Sequence, residues 1–155
     1  VDLECPVCKT FHATLKAVQS RVGNLASVVF VAYPLPQHRF ALPAARAMEC
    51  AGQAGHATSW LDVVLRKQDS IGLRSWGEFA LEAGIPDTAS ISRCARNPSL
   101  VVRIDSGLVL GERLGVNGTP TVFVNGWRMP GLPTREALVE KIYEEAGTRR
   151  TRAVP

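Results

Sequence analysis

Apolar positions along the chain recur in two rhythms. Phe11, Leu15, Val18 and Val22 are spaced four, three and four apart, the stripe of an amphipathic helix that Gly23-Asn24 ends. Ser27 to Tyr33, centred on Val28-Val29-Phe30-Val31-Ala32, is short, β-rich and almost continuously apolar. It predicts a strand buried on both faces and stopped by Pro34 and Pro36. From Ala41 to about Asn97 the pattern is helical, broken at Gly52 to Gly55, at Ser70 to Gly72 and at Gly84 to Pro86, which predicts about four short helices. Ser75 and Glu78 have the spacing of a capping box. Val101, Ile104, Leu108 and Gly111 mark a further helix, which glycines 111, 115 and 118 loosen and stop. Thr121 to Val124, then Asn125-Gly126, then Trp127 to Met129 form a hairpin signal, because Asn-Gly accepts the positive φ of a type I′ turn. Thr134 caps a last helix whose core face is Leu138, Val139, Ile142, Tyr143 and Ala146.

The order strand, helix, strand, helical block, helix, hairpin, helix implies an α/β protein. Its 155 residues fit one domain with a core of its own. At 46% hydrophobic and 21% charged residues the chain reads as a soluble globular protein, and no apolar run approaches the ~20 residues that span a bilayer. The net charge of +4 draws three charges from Arg149, Arg150 and Arg152, leaving +1 for the body. A nucleic-acid partner is therefore not expected, and residues 148–155 read as a solvated basic tail. The chain starts at Val1 with no initiator Met, and Val1 to Leu3 is a short apolar run before the first cysteine. A truncated first strand, with a leader upstream, is the expectation.

The four cysteines, Cys5, Cys8, Cys50 and Cys94, permit three pairings. Cys5-Pro6-Val7-Cys8 opens the first helix. The unpaired N–H groups and positive dipole end found there stabilise a thiolate and lower its pKa from ~8.5. Pro6 suits the first helical turn, and two intervening residues bring the sulfurs within disulfide reach. Cys5, at the exposed start, is expected to attack, and Cys8, one turn inward, to resolve the mixed disulfide. Cys5, Cys8 and His12 also read as three zinc ligands, but a closed structural site needs a second pair and the sequence has no other C-x-x-C or H-x-x-x-H. No metal is assigned, and His12 reads as a half-exposed helix residue. His38 and His56 read as surface or cap residues, Trp60 and Trp76 as core, and Trp127 as a hairpin-tip residue near the site. Gly111, Gly115 and Gly118 do not spell a nucleotide-binding loop. Pro120 stands at the first residue of a predicted strand, where proline is allowed and an X-Pro bond is cis at modest cost.

Asp2 to Cys8, Pro34-Leu35-Pro36-Gln37-His38, Ala44 to Ala51 with Trp60, and Gly118-Thr119-Pro120-Thr121 to Gly126 together resemble the DsbA-type thiol-disulfide oxidoreductases, over nearly all of residues 1–146. The resemblance implies a thioredoxin-like, mixed four-stranded sheet with helices on both faces. Residues 1–39 and 98–147 would form its core and 40–97 a helical insertion. It implies disulfide exchange with protein thiols or disulfides through Cys5 and Cys8. Thr119, Pro120, Pro6 and Val7 would bind substrate, with a cis peptide between Thr119 and Pro120. No cofactor is expected, since the dithiol carries the electrons. A separate redox partner and a bacterial periplasmic or envelope location follow from the same likeness. Some such proteins also carry a structural disulfide like one between Cys50 and Cys94. Val7 stands where DsbA has a histidine, so a less oxidising dithiol is expected, whereas Thr119 resembles the isomerases and reductases. A non-catalytic binding or metal-binding module on the same fold is the alternative.

Overall fold

The structure, a computed structural model, describes residues 1–98 and 101–152; the side chains of Arg149, Arg150 and Arg152, and with them the tail's solvation, lie outside the described residues. Helix α1 (Pro6–Val22) starts on a proline, whose absent N–H costs nothing in the first turn, and ends at Gly23 with φ 53°. Four helices follow after an extended stretch: α2 (Ala41–Gln53), α3 (Ala57–Arg66), α4 (Trp76–Glu82) and α5 (Thr88–Cys94). The α4 capping box forms, Ser75 accepting from the Glu78 N–H and Glu78 from the Ser75 N–H. Trp60 is fully buried and its ring meets Trp76 and Phe79 at centroid distances of 6.1 and 6.3 Å. A disulfide between Cys50 and Cys94 joins α2 to α5.

Helix α6 (Val101–Arg113) precedes the hairpin of β1 (Phe123–Val124) and β2 (Trp127–Arg128), in which Val124 pairs with Trp127. Asn125 and Gly126 take φ of 49° and 91°, the type I′ turn that the dipeptide favours. Helix α7 (Arg135–Arg152) is capped by Thr134, whose hydroxyl accepts from the Ala137 N–H. Two cores result. One gathers α2–α5 with Leu3, Cys5, Cys8, Ala32 and Ile104; the other packs Phe11, Val18 and Val22 of α1 on Leu138, Val139 and Ile142 of α7. Tyr143 was expected in that face but is 49% exposed. The stripe that meets α1 is narrower than the sequence suggested.

Two expectations about backbone are corrected. Residues 27–33 are extended but form no ladder strand, and alternate between exposed and covered, with Val29 83% exposed and Ala32 buried. Among the described residues, backbone hydrogen bonds join this segment to Val1, whose nitrogen donates to the Val31 carbonyl and whose carbonyl accepts from the Tyr33 N–H. Among the described residues the only sheet is the two-stranded hairpin, which leaves the four-stranded sheet an expectation. Nor does glycine loosen α6 at position 111: at Gly107 an added Cβ would lie 2.8 Å from the Ala32 carbonyl oxygen, and at Gly111 it would run into the Tyr33 ring. These glycines let the helix lie directly on residues 31–33. Gly107→Ala is expected to lower stability by about 1–2 kcal/mol, overpacking against backbone exceeding the ~1 kcal/mol gain in helix propensity. Urea titration reads this as a lower midpoint at unchanged slope.

Candidate active site

The site forms where residues 1–5, the start of α1 and residues 118–121 meet. Cys5 is the N-cap of α1, in extended conformation, so its sulfur stands at the end of the helix axis and Cys8 lies within the first turn. The Thr119–Pro120 peptide is cis, and the Thr119 carbonyl accepts a hydrogen bond from the Cys5 thiol at 3.3 Å. The sequence reading placed Cys5 at an exposed start. In the structure its residue is 6% exposed and Cys8 2%: both belong to the larger core, and the Thr119 carbonyl lies against the first sulfur. Pro6 and Val7 are the exposed part of the motif, Val7 at 47%.

Burial pushes the Cys8 thiol up to about 11, against the Asp2 backbone N–H and the Thr119 side chain, which favour its thiolate. The Thr119 hydroxyl is buried without a hydrogen bond of its own and lies near enough to the Cys8 sulfur to act on it. A thiol held protonated by the fold stabilises the native state below its unfolded pKa, and that contribution is lost as pH rises through the folded value. The reduced protein is therefore expected to lose about 2–3 kcal/mol between pH 9 and 11. Cys8→Ala should flatten the stability profile over that window, as measured by denaturant titration at each pH.

Polar anchors that the sequence reading did not single out fix the segment carrying Cys5. Asp2 is 1% exposed, and its carboxylate accepts from the Glu4 N–H, the Leu35 N–H and His38 Nδ1, each at 2.7–2.8 Å. His38 is thus an inward anchor and not the surface residue expected. Glu4 accepts from the Phe40 N–H at 2.6 Å. Gln68, buried in the turn after α3, donates from Nε2 to the carbonyls of both Leu3 and Cys5, at 2.8 and 2.9 Å. Buried polar groups with long-range partners leave no periodic signal; the two acidic side chains beside the motif, Asp2 and Glu4, were the only hint.

His12, read as half-exposed, has a side chain only 11% exposed; its Nε2 pairs with Asp62 Oδ1 at 2.7 Å, and Lys16 Nζ holds the other oxygen at 2.5 Å. Among the described residues no group of three His, Cys, Asp or Glu side chains is placed to hold a metal. His56 is the N-cap residue of α3, where its carbonyl accepts from the Trp60 N–H. Trp127 is 63% exposed and lies under Lys141 of α7, 4.5 Å from ring centre to ammonium. A largely apolar trough of about 640 Å³ runs from Cys8 and His12 between residues 24–33 and 119–125. No helix among the described residues is long and apolar enough to cross a membrane.

The solved structure of a thioredoxin-like oxidoreductase from Silicibacter pomeroyi DSS-3 superposes with a TM-score of 0.75, covering 99% of this chain and 84% of that one at 24% identity. That likeness establishes a thioredoxin-like fold. The Na(+)/H(+) antiporter NhaA of Herminiimonas arsenicoxydans is 27% identical over all of this chain, and the Na(+)/H(+) antiporter NhaA 1 of Mycolicibacterium vanbaalenii 30% identical over 96% of it. The chain spans about a quarter of the length of these relatives. A family model described as thioredoxin matches residues 1–144, and the chain belongs to the thioredoxin family.

Proposed function

We propose that the chain is a DsbA-like thiol-disulfide oxidoreductase acting on protein thiols and disulfides outside the cytoplasm, in a bacterial periplasm or envelope. The observation that carries this reading is the Cys5 thiol facing the Thr119 carbonyl across a cis X-Pro peptide, with Cys8 behind it. In oxidation of a client, the client thiolate attacks the Cys5–Cys8 disulfide at Cys5. Cys8 leaves as thiolate, and a second client thiolate then displaces Cys5, so two electrons pass to the protein. In reduction the steps reverse, with Cys5 attacking and Cys8 resolving. The backbone beside Pro120 offers an edge to an extended client, and exposed Pro6 and Val7 provide apolar contact. Because the Thr119 carbonyl covers Cys5, the client's backbone must replace that contact when it docks. A redox partner renews the dithiol.

The finer architecture belongs to the same proposal: a core of residues 1–39 and 98–147 with 40–97 inserted. An extended segment seated in the trough between residues 27–33 and the hairpin would complete a mixed four-stranded sheet. A second reading comes from the curated relatives, whose names describe antiporters and which match this chain over about a quarter of their length. In this reading such a redox unit works as a portion of a membrane transporter polypeptide.

Equilibration with glutathione buffers tests the main reading. A two-electron couple is expected, with a potential below the roughly −120 mV of DsbA because Val7 supplies no hydrogen bond or charge to the Cys5 thiolate. A reduced protein that neither forms a Cys5–Cys8 disulfide in such buffers nor exchanges with a small disulfide would sink it.

A further inference from the structure

His12 is unexplained by the dithiol chemistry as described. Its side chain is close to nine-tenths buried, its Nε2 is committed to Asp62, and its Nδ1 is buried with no hydrogen-bond partner. A buried nitrogen left in that state is costly and calls for a role or an unseen partner. With Nε2–H donating to the Asp62 carboxylate, Nδ1 carries the lone pair. Burial pushes the Asp62 carboxyl up, but hydrogen bonds from Lys16 and His12 outweigh it and hold the carboxyl below its ordinary range. The group behind the imidazole is therefore a carboxylate, and Phe30 flanks the ring at 6.2 Å.

Cys8 is the residue one helical turn before His12. Positions four apart on a helix share a face, their Cβ atoms about 5–6 Å apart. Both residues line the same trough. Cys8 must lose a proton to act, since the thiolate and not the thiol attacks sulfur. Its thiol is held protonated well above neutral pH.

We propose that His12, held by Asp62, accepts the proton of the Cys8 thiol as Cys8 resolves the mixed disulfide on Cys5. The S–H bond of Cys8 breaks and its proton passes across one water to form an N–H bond at Nδ1, and Asp62 stabilises the imidazolium. The Cys8 thiolate attacks Cys5 Sγ, the Cys5–Cys8 bond forms, and the bond from Cys5 to the client breaks. The client leaves as thiolate and takes a proton from His12 or solvent. This inference rests on the exchange reading above and deepens it. The groups facing His12 are Lys16 on its own helix, Asp62 on α3, and Glu49 and Arg103 across a smaller cavity from α2 and α6. Those acting on Cys8 are the Asp2 backbone N–H, the Thr119 side chain and Cys5.

The test uses the reduced chain and an aromatic disulfide with a coloured thiol, which reports two releases: the first from attack by Cys5, the second from resolution by Cys8. In His12→Ala the second phase is expected to slow by at least about tenfold at pH 7, within the range of general-base effects, while the first stays within twofold. Added imidazole is expected to restore it, which a purely structural role would not allow. Between pH 7 and 9 the variant's second phase should climb about tenfold per unit, as for a thiol titrating near 11, and the wild type's more gently. Asp62→Asn keeps the ring and should give an intermediate slowing, which covers the case of a misfolded alanine variant. An unchanged second phase in folded His12→Ala or Asp62→Asn overturns the proposal, as does equal slowing of both phases. Absence of a second phase in the wild type overturns the exchange reading itself, and this inference with it.

Discussion

Cys5→Ser is expected to reduce thiol exchange with a small disulfide by about a thousandfold or more at neutral pH, because a hydroxyl there is neither ionised nor a soft nucleophile. Cys8→Ser should behave differently. It keeps the attacking sulfur at the helix start and removes the resolving one, so clients should accumulate as mixed disulfides on Cys5. Non-reducing electrophoresis of the two variants, after incubation with a scrambled disulfide protein, separates them: adducts with Cys8→Ser and none with Cys5→Ser. The opposite pattern would reverse the roles assigned to the two sulfurs.

The second large effect belongs to the Cys50–Cys94 disulfide. It joins α2 to α5 across a sequence separation of 44 residues. In the chain-entropy account, closing a loop of that length removes about 4 kcal/mol of freedom from the unfolded state. The double variant Cys50→Ala/Cys94→Ala should therefore melt about 8–16 °C lower than the parent. Melting with and without reductant in the denaturing step checks the cause: reductant should lower the parent toward the variant and leave the variant unmoved. A variant that melts with the parent would show that packing, with Cys50 buried among Ala44, Ala47 and Ala51, carries the junction alone.

What was legible in the chain was what local chemistry decides. Asn125-Gly126 specifies its own turn, Ser75 and Glu78 their own cap, and Pro6 between the cysteines its own helix start, each through partners within a few residues. The stripe of α1 was readable because one face of that helix is buried, with Phe11, Val18 and Val22 on α7, while much of the rest meets solvent. Residues 27–33 were misread because a run of β-branched residues states a preference for extended backbone and says nothing of how many neighbours it finds. Gly107 and Gly111 look like helix weaknesses by propensity. Their use appears only once Ala32 and Tyr33, some 75 residues away in sequence, lie against them. The two cysteines of the motif were found by spacing. Asp2, Gln68 and the His12–Asp62 pair were not recognised as working parts, because a buried polar residue is defined by its partner, and these partners lie 33 to 65 positions away.

Gln68 sets a condition on any chimaera. A helical block spanning residues 40–97 looks like a cassette to be exchanged with that of a relative, since the chain enters and leaves it once. Yet the amide that donates to the Leu3 and Cys5 carbonyls sits inside the block, as does the carboxylate paired with His12. A graft matched only for helix lengths and apolar faces would fold around two orphaned carbonyls beside Cys5. The portable unit is instead the cassette together with the residues that answer Gln68 and Asp62 across its border, and donor blocks should be chosen by those two positions first.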